Sequence, residues 1–221
     1  MNCYAKTYCK KFGTEACNDL CDFYVVLNAL YSQSNIPRRY QFDKPLKPDT
    51  SDYQSFTALR DYQLDIVNHV NDGDNLLITS SGTGNGKTTW ACKIAGYYFR
   101  KIVTTTKIEN EVFYLNVSLF MEQMRNNFDA KEQGFEQIKR QAMNCRLLIL
   151  DDIGVERPSD WVLERLYDLI NHRYTEMKST IYTSNLSLDE LELRVGQRIA
   201  SRLSDSTIIT LKGTDRRKME A

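Results

Sequence analysis

Short apolar runs alternate with longer amphipathic stretches between residues 75 and 211. The runs lack the period-two alternation of half-exposed strands, which is typical of parallel strands buried on both faces. The predicted strands are NLLITS (75–80), EVFYLNV (111–117), RLLILDD (146–152), STIYTS (179–184) and STIITL (206–211). Helical patterns occupy Lys87–Arg100, Ser118–Phe128, Gly134–Met143, Ser159–Met177 and Leu188–Leu203, and SLDE at 187–190 is a capping-box sequence. Strands that alternate with helices require crossovers, so we expect an α/β fold with a mostly parallel, three-layer sheet.

The first 50 residues have a different character from the rest. Residues 1–35 are rich in cysteine and contain one helical pattern, Asp19–Tyr31. The segment IPRRYQFDKPLKPDTSD that follows holds three of the four prolines, and proline disfavours long regular elements. We therefore predict a small Cys-rich domain at 1–35, a linker at 36–50 and the α/β domain at 51–221.

Charge and hydropathy exclude some functional classes. Lys+Arg and Asp+Glu each number 29, so no net positive field draws the protein to nucleic acid. Any DNA contact must come from a local patch or from assembly into an oligomer. No apolar run approaches the length of a membrane span, and the polar N-terminus is unlike a signal peptide. We expect a cytosolic protein without a membrane partner.

Four of the six cysteines lie in the first 21 residues: Cys3, Cys9, Cys17 and Cys21. Cytosolic proteins rarely keep structural disulfides, so this quartet suggests a metal site, with zinc ahead of an iron–sulfur cluster. The spacing C-x5-C-x7-C-x3-C lacks the tight pairs of most zinc sites, and four free thiols remain the alternative. Cys92 and Cys145 stand in apolar surroundings and are predicted to be core residues.

The stretch SSGTGNGKTT (80–89) follows a predicted strand and opens a predicted helix. It matches the phosphate-binding loop, Gly-x4-Gly-Lys-Ser/Thr, except that Ser81 replaces the first glycine. In this context Lys87 meets the β- and γ-phosphates of ATP, and the Thr88 hydroxyl holds Mg²⁺. The predicted nucleotide-binding residues of the loop are Gly82, Thr83, Gly84, Asn85, Gly86, Lys87, Thr88 and Thr89. The alternative is a glycine-rich turn without a function.

A second polar element, LLILDDIG (147–154), places two acids at the end of a buried strand. Asp151 is predicted to join Thr88 in holding Mg²⁺, and Asp152 to orient or deprotonate the attacking water. Alone, such a pair is often a helix cap or a turn. The phosphate loop upstream favours the catalytic interpretation.

With these motifs in place, the chain resembles the AAA+ ATPases that load bacterial and phage replicative helicases (the DnaC/DnaI group), close to the IstB-type helper ATPases of transposition. The resemblance covers roughly residues 34–217. It rests on NIPRRY, SSGTGNGKT, VFYLNVSLFMEQMRNNFD, LLILDDIG, STIYTSNLSLDEL, RIASRL and LKGTDRR, in that order. It implies an AAA+ P-loop fold for residues 51–221. We assign no chemistry to NIPRRY.

The resemblance also implies roles for three further residues. Asn185, in TSN, matches the sensor 1 position that helps to place the attacking water. Arg202, in RIASRL, matches the arginine finger that reaches a neighbouring subunit's γ-phosphate, with Arg198 as second choice. Arg217, or Arg216, matches the sensor 2 arginine that contacts the nucleotide. The alternatives are a solvated helix face for Arg202 and a basic tail for Arg217.

The function implied is ATP-dependent delivery of a hexameric replicative helicase onto single-stranded DNA, in a homo-oligomer or an assembly with the helicase hexamer. The Cys-rich segment would contact the helicase. Its tyrosines Tyr4, Tyr8, Tyr24 and Tyr31 could stack on bases, but such aromatics more often fill a core or an interface. The rival functions are a transposition helper acting on duplex DNA, a P-loop kinase for a small metabolite and a nucleotide-binding adaptor without hydrolysis.

Overall fold

The computed structural model describes residues 3–42, 46, 48, 50–126, 132–154, 160–213 and 215. The helices are α1 Asp22–Gln33, α2 Tyr53–Leu64, α3 Ile66–Asp72, α4 Lys87–Ile102, α5 Val117–Asn126, α6 Glu132–Asn144, α7 Asp160–Thr175, α8 Leu188–Val195 and α9 Gln197–Ser204. The strands are β1 Leu76–Thr79, β2 Val112–Asn116, β3 Leu147–Asp151, β4 Thr180–Ser184 and β5 Thr207–Thr210. Short 3₁₀ turns lie at Arg38–Tyr40 and Thr50–Asp52.

All five strands are parallel and lie in the order β2-β3-β4-β1-β5, which confirms the predicted α/β class and its parallel sheet. Successive side chains of a strand point to opposite faces. Leu76 and Ile78 of β1 therefore join one core cluster, whereas Leu77 joins the other. The first cluster packs against α1 to α4 and the second against α5 to α9, so the sheet is the middle of three layers.

The helices differ from the sequence prediction in two places. The pattern at Leu188–Leu203 is not one helix, because Gly196 takes a φ of 86° and separates α8 from α9. The predicted capping box, Ser187 with Glu190, is present at the start of α8. Helices α2 and α3 were not predicted. The apolar stripe of α2 is thin, with Phe56, Leu59 and Tyr62 as its buried apolar residues.

The N-terminal segment, residues 3–35, shares a core with the rest of the chain. Cys3, Ala5, Leu27, Leu30 and Tyr31 are buried in the same cluster as α4 and one face of the sheet. The boundaries at 35 and 50 stay a prediction, but the segment does not have a separate core in this arrangement. Within the described residues, no helix combines the length and the apolar character that crossing a bilayer requires.

Candidate nucleotide-binding site

A cavity of about 390 Å³ lies at the carboxyl ends of the strands, where ligands bind in open α/β sheets. One end is formed by the phosphate loop, which follows β1, and by the polar residues that end or follow β2, β3 and β4. The other end is formed by α1, by the middle of α4 and by residues 39–42 of the proline-containing connector, residues 36–52. The residues that line the first end include Thr83, Gly84, Asn85, Gly86, Lys87, Thr88, Thr89, Asn116, Asp151, Asp152 and Asn185. The residues that line the second end include Tyr31, Arg39, Tyr40, Gln41, Phe42, Cys92, Gly96 and Arg100.

The phosphate loop has the backbone conformation that its glycines allow. Gly84 and Gly86 take left-handed φ values of 77° and 97°, and α4 begins at Lys87 directly after them. Ser81, which replaces the first glycine of the motif, keeps a negative φ, so its side chain introduces no backbone strain. The substitution is therefore compatible with a working loop, and the N-terminus of α4 presents its backbone N–H groups to an anion.

Lys87 is buried within this loop, with 6% of its surface exposed. Its Nζ donates a hydrogen bond of 3.0 Å to the carbonyl oxygen of Gly82, which holds the ammonium group across the loop. Gly82 itself is not among the cavity-lining residues, although it was predicted to contact nucleotide. Its contribution is to orient Lys87 and to pair with the Ser80 hydroxyl at 2.8 and 3.0 Å.

The Asp151 carboxylate, at the end of β3, accepts hydrogen bonds from three hydroxyl groups. Thr88 and Thr183 donate to Oδ1 at 2.8 and 2.7 Å, and Tyr114 donates to Oδ2 at 2.6 Å. Burial and the adjacent Asp151 charge raise the pKa of Tyr114 well above its ordinary value, so its phenol keeps the proton that it donates. The carboxylate is thereby fixed from β2, β4 and α4 at once.

Thr88 and Asp151 also suit the predicted Mg²⁺. The two side chains are 2.8 Å apart at the mouth of the phosphate loop, and hydroxyl and carboxylate oxygens are ligands that this hard cation prefers. A cation held there would neutralise charge between the β- and γ-phosphates. The donor set therefore fits the group.

Asp152 lies beside Asp151 but in a different environment. Its backbone takes a left-handed φ of 63°, a conformation that Asp tolerates better than most residues and that recurs at active sites. Its N–H donates to Thr183 Oγ1 at 3.0 Å, and its Oδ2 accepts from Asn116 Nδ2 at 3.4 Å. Asp152 and Asn185 both line the cavity, so the structure places these two predicted catalytic side chains at the same site as Lys87.

The segment after β5 contacts the phosphate loop. The Asp52 carboxylate, which is fully buried, accepts hydrogen bonds from the backbone N–H groups of Lys212 (2.6 Å) and Gly213 (2.9 Å). Asn85 of the loop in turn donates its Nδ2 to the carbonyl oxygen of Gly213. A Cβ on Gly84 would collide with the Asp215 carboxylate, so the loop and this segment fit closely. The predicted sensor residues Arg216 and Arg217 lie outside the described residues.

Arg202 does not line the cavity of its own chain. Its guanidinium donates to Asn171 Oδ1 at 3.1 and 3.3 Å and lies 5.4 Å from the Tyr167 ring centroid. Arg198 also lies over this ring, at 5.8 Å. The two arginines therefore share one partly exposed face of α7 and α9, and neither lines the cavity. The arginine-finger role stays a prediction.

The four N-terminal cysteines do not assemble into a metal site. They are free thiols, and among the described residues, which include all four, no group of three or more His, Cys, Asp or Glu side chains could hold a metal ion. Cys3 is buried in the apolar core, where its Sγ accepts a hydrogen bond from the Ala5 N–H at 3.4 Å. The donor set does not fit zinc or an iron–sulfur cluster. Cys92 and Cys145 are buried, as predicted.

Several residues of the site were not predicted from the sequence. Tyr114 and Thr183 lie inside strand patterns, where their hydroxyl groups give no signal of a function. Asp52 and Gln41 lie in the proline-containing connector, and Tyr31 lies in a segment assigned to a separate domain. The motif NIPRRY was the one sequence signal that could have placed the connector at the site, because residues 39–42, which follow its proline, line the cavity.

A phosphate loop and paired acids at the carboxyl ends of a five-stranded parallel sheet define a P-loop nucleotide-binding protein. A family model described as IstB-like ATP binding protein matches residues 49–209. The chain belongs to this family of ATP-binding proteins, in agreement with the predicted ATP cofactor.

Individual relatives are more distant. The phage-like element PBSX protein XkdC of Bacillus subtilis (strain 168) is 23% identical over 175 residues, which is 76% of this chain and 57% of that protein. The replicative helicase loader DnaI of the same strain is 27% identical over 145 residues, which is 65% of this chain and 43% of that protein. The chain thus spans about half the length of these relatives. A crystal structure of the DnaC helicase loader matches with a TM-score of 0.65 and 22% identity, over 80% of this chain and 100% of that chain, which shows a shared fold.

Asp52→Asn should weaken nucleotide binding about tenfold, which corresponds to the loss of one charge-assisted hydrogen bond. An asparagine amide turns an NH₂ group towards one of the two backbone donors, so the segment at 212–213 loses its hold on Asn85. Titration calorimetry with a non-hydrolysable ATP analogue measures this change. The control is Ser55→Ala, which removes the hydroxyl that donates to the Thr210 carbonyl (2.7 Å) but leaves the loop contact intact. Equal affinities of folded wild type and Asp52→Asn for the ATP analogue would show that the hydrogen bonds from residues 212 and 213 to Asp52 do not affect the loop.

Proposed function

We propose that the protein is an ATP-dependent loader that delivers a hexameric replicative DNA helicase onto single-stranded DNA. The observation that carries this proposal is a phosphate-loop site in which Lys87, Thr88 and the paired acids line one cavity, together with similarity to proteins named as helicase loaders. The residues of the site support ATP hydrolysis as the reaction, and the similarity supports helicase loading as the process that hydrolysis drives.

The proposed reaction is hydrolysis of the β–γ phosphoanhydride bond of ATP. Lys87 and the backbone N–H groups of the loop bind the phosphates, while Tyr114 and Thr183 hold Asp151 in place. Asp152 orients the attacking water or accepts its proton, and Asn185 supports the position of that water. The water oxygen bonds to the γ-phosphorus as the bond to the β–γ bridging oxygen breaks, which yields ADP and inorganic phosphate. The nucleotide-binding adaptor without hydrolysis lacks support, since Asp151, Asp152 and Asn185 line one cavity.

Turnover in this scheme requires a second protomer. Arg202 lies on the α7–α9 face and does not reach the nucleotide cavity of its own chain. It would reach a γ-phosphate only when that face docks on a neighbour's cavity. We therefore propose a homo-oligomer, or an assembly with the helicase hexamer, in which Arg202 completes the adjacent site.

The N-terminal segment is the proposed contact with the helicase. It carries a group of exposed apolar side chains: Tyr8, Phe12, Leu20, Phe23 and Val25, of which Leu20 is 82% exposed. Exposed apolar groups of this kind mark interaction surfaces. The proposed contact does not depend on a metal, because within the described part of the chain the four thiols form no ligand set.

A helper role in DNA transposition is the second candidate, and the match to the IstB-like family model favours it. The two functions differ in the DNA that they use. A helicase loader acts on single strands together with a ring helicase, whereas the transposition helper acts on duplex DNA.

The loader function predicts that this protein and ATP place a hexameric replicative helicase of its source organism on a closed single-stranded DNA circle. A closed circle offers no end for threading, so helicase retained after gel filtration has been loaded through an opened ring. We expect a severalfold gain over helicase alone with wild type and none with Lys87→Ala. A gain with closed duplex circles but not with single-stranded circles would contradict the loader function and favour the transposition helper.

The second-protomer mechanism predicts that Arg202→Ala keeps ATP binding but lowers hydrolysis by about a thousandfold. Mixing Arg202→Ala with Asp152→Asn should restore part of the steady-state phosphate release, since some interfaces then combine an intact Asp152 with an intact Arg202. The matched control is Arg198→Ala, which lies over the same Tyr167 ring and should keep its activity. Mixtures that stay as inactive as the separate variants, with both proteins assembled, would exclude Arg202 acting between subunits.

A further inference from the structure

One tyrosine of the N-terminal segment contacts three side chains that line the nucleotide cavity. The Tyr4 hydroxyl donates a hydrogen bond of 2.8 Å to Gln41 Oε1. The Tyr4 ring stacks on Tyr31, at 4.1 Å between centroids and 30° between planes, and on Phe42, at 5.0 Å and 22°. Gln41, Tyr31 and Phe42 all line the cavity. Tyr4 therefore supports this wall from behind.

The amide of Gln41 is held at both of its ends. Its oxygen accepts from Tyr4, and its Nε2 donates to the Ile36 carbonyl oxygen at 2.7 Å. The side chain thus ties Gln41 to Tyr4 and to the first residue of the connector, Ile36. Loss of the Tyr4 hydroxyl would leave the Gln41 amide held at one end only, so this part of the cavity wall would be less well fixed.

The supported wall lies at the end of the cavity opposite the phosphate loop. Tyr31 approaches α4 at Gly96, where an added Cβ would be only 2.7 Å from the Tyr31 hydroxyl oxygen. Gly96 is nine residues after Lys87 in the same helix, which corresponds to a rise of about 14 Å. Phosphates bound at Lys87 would place the nucleoside of the same ligand near this wall.

A second set of contacts joins the segment to the same end. The Arg100 guanidinium, which lines the cavity, lies 4.4 Å from the centroid of the Tyr8 ring. Burial raises the pKa of Tyr8 to about 12, so the ring that faces this cation stays neutral. Lys6 lies over the Phe42 ring at 5.3 Å. The segment thus contacts the cavity wall through residues 4, 6 and 8.

We propose that the N-terminal segment forms the nucleoside end of the nucleotide site, with Tyr4 as the positioning residue that holds Gln41, Tyr31 and Phe42 against the bound nucleoside. The ligand class is a nucleoside di- or triphosphate. The segment is then a part of the nucleotide site, and binding of a nucleotide stabilises its packing. This proposal concerns nucleotide binding alone and does not depend on the loader function.

The test compares a ligand that has a nucleoside with one that has only phosphates. Tyr4→Ala should weaken binding of a non-hydrolysable ATP analogue about tenfold, whereas the affinity for inorganic tripolyphosphate should stay within about twofold of wild type. A general loss of stability would weaken both ligands alike. The control is Tyr53→Ala, an exposed aromatic residue outside both the N-terminal segment and the cavity lining, which should change neither affinity.

A milder variant keeps the test valid where Tyr4→Ala does not fold. Tyr4→Phe retains both ring stacks and removes only the hydroxyl bond to Gln41, so we expect a smaller loss, about threefold, for the ATP analogue alone. Because Tyr4 acts through Gln41, Tyr4→Phe should have little further effect in a Gln41→Ala background. Equal weakening of both ligands, unchanged affinity for the ATP analogue in the folded variants, or additive effects of Tyr4→Phe and Gln41→Ala would overturn the proposal.

Discussion

The buried Asp151 carboxylate is the group on which the geometry of the site depends. A charge removed from water is costly unless hydrogen bonds replace its hydration, and here three hydroxyl groups do so. The donors come from α4, β2 and β4, which are distant in sequence. Satisfying this one carboxylate therefore fixes the start of α4, and with it the phosphate loop, relative to the ends of the neighbouring strands. The loop and the paired acids form one site because of this requirement.

The cavity extends from this centre towards two supports outside the sheet. Behind the phosphate loop, buried Asp52 anchors the backbone of Lys212 and Gly213, and Gly213 accepts from Asn85 of the loop. At the opposite end, the N-terminal segment packs against α4 and the connector through aromatic side chains. The phosphate loop is thus held by Asp52, which precedes the sheet in the chain, and by Gly213, which follows it. Both supports are made by segments that carry none of the phosphate-loop residues.

Much of the fold was predictable because its signals are periodic or chemically specific. Buried parallel strands read as apolar runs, and the five predicted strands are the five strands of the sheet. The phosphate loop was recognisable despite Ser81, because the residues that need left-handed backbone are Gly84 and Gly86. Asp151 and Asp152 were recognisable from their place at the end of a strand.

The remainder depends on contacts that spacing along the chain does not encode. Tyr114 and Thr183 have the composition of ordinary strand residues, so their hydrogen bonds to Asp151 appear only once β2, β3 and β4 are adjacent. The cysteine quartet suggested a metal, yet the fold buries Cys3 in an apolar core, and among the described residues no three potential ligands converge on one point. Asp52 occupies a connector that its prolines mark as irregular, although its carboxylate is fully buried. In each case the role of the residue depends on the group that it contacts in the fold, which its own position in the sequence does not reveal.

Titration of the purified protein with a non-hydrolysable ATP analogue and Mg²⁺ tests the central claim, that the loop starting at Ser80 is a working nucleotide site centred on Lys87. We expect one saturable site per chain in wild type and no measurable binding in Lys87→Ala with an unchanged circular dichroism spectrum. Binding should stay at the wild-type level in Lys101→Ala, which changes an exposed lysine on the same helix. Binding of the analogue by folded Lys87→Ala with the affinity of wild type would contradict the central claim.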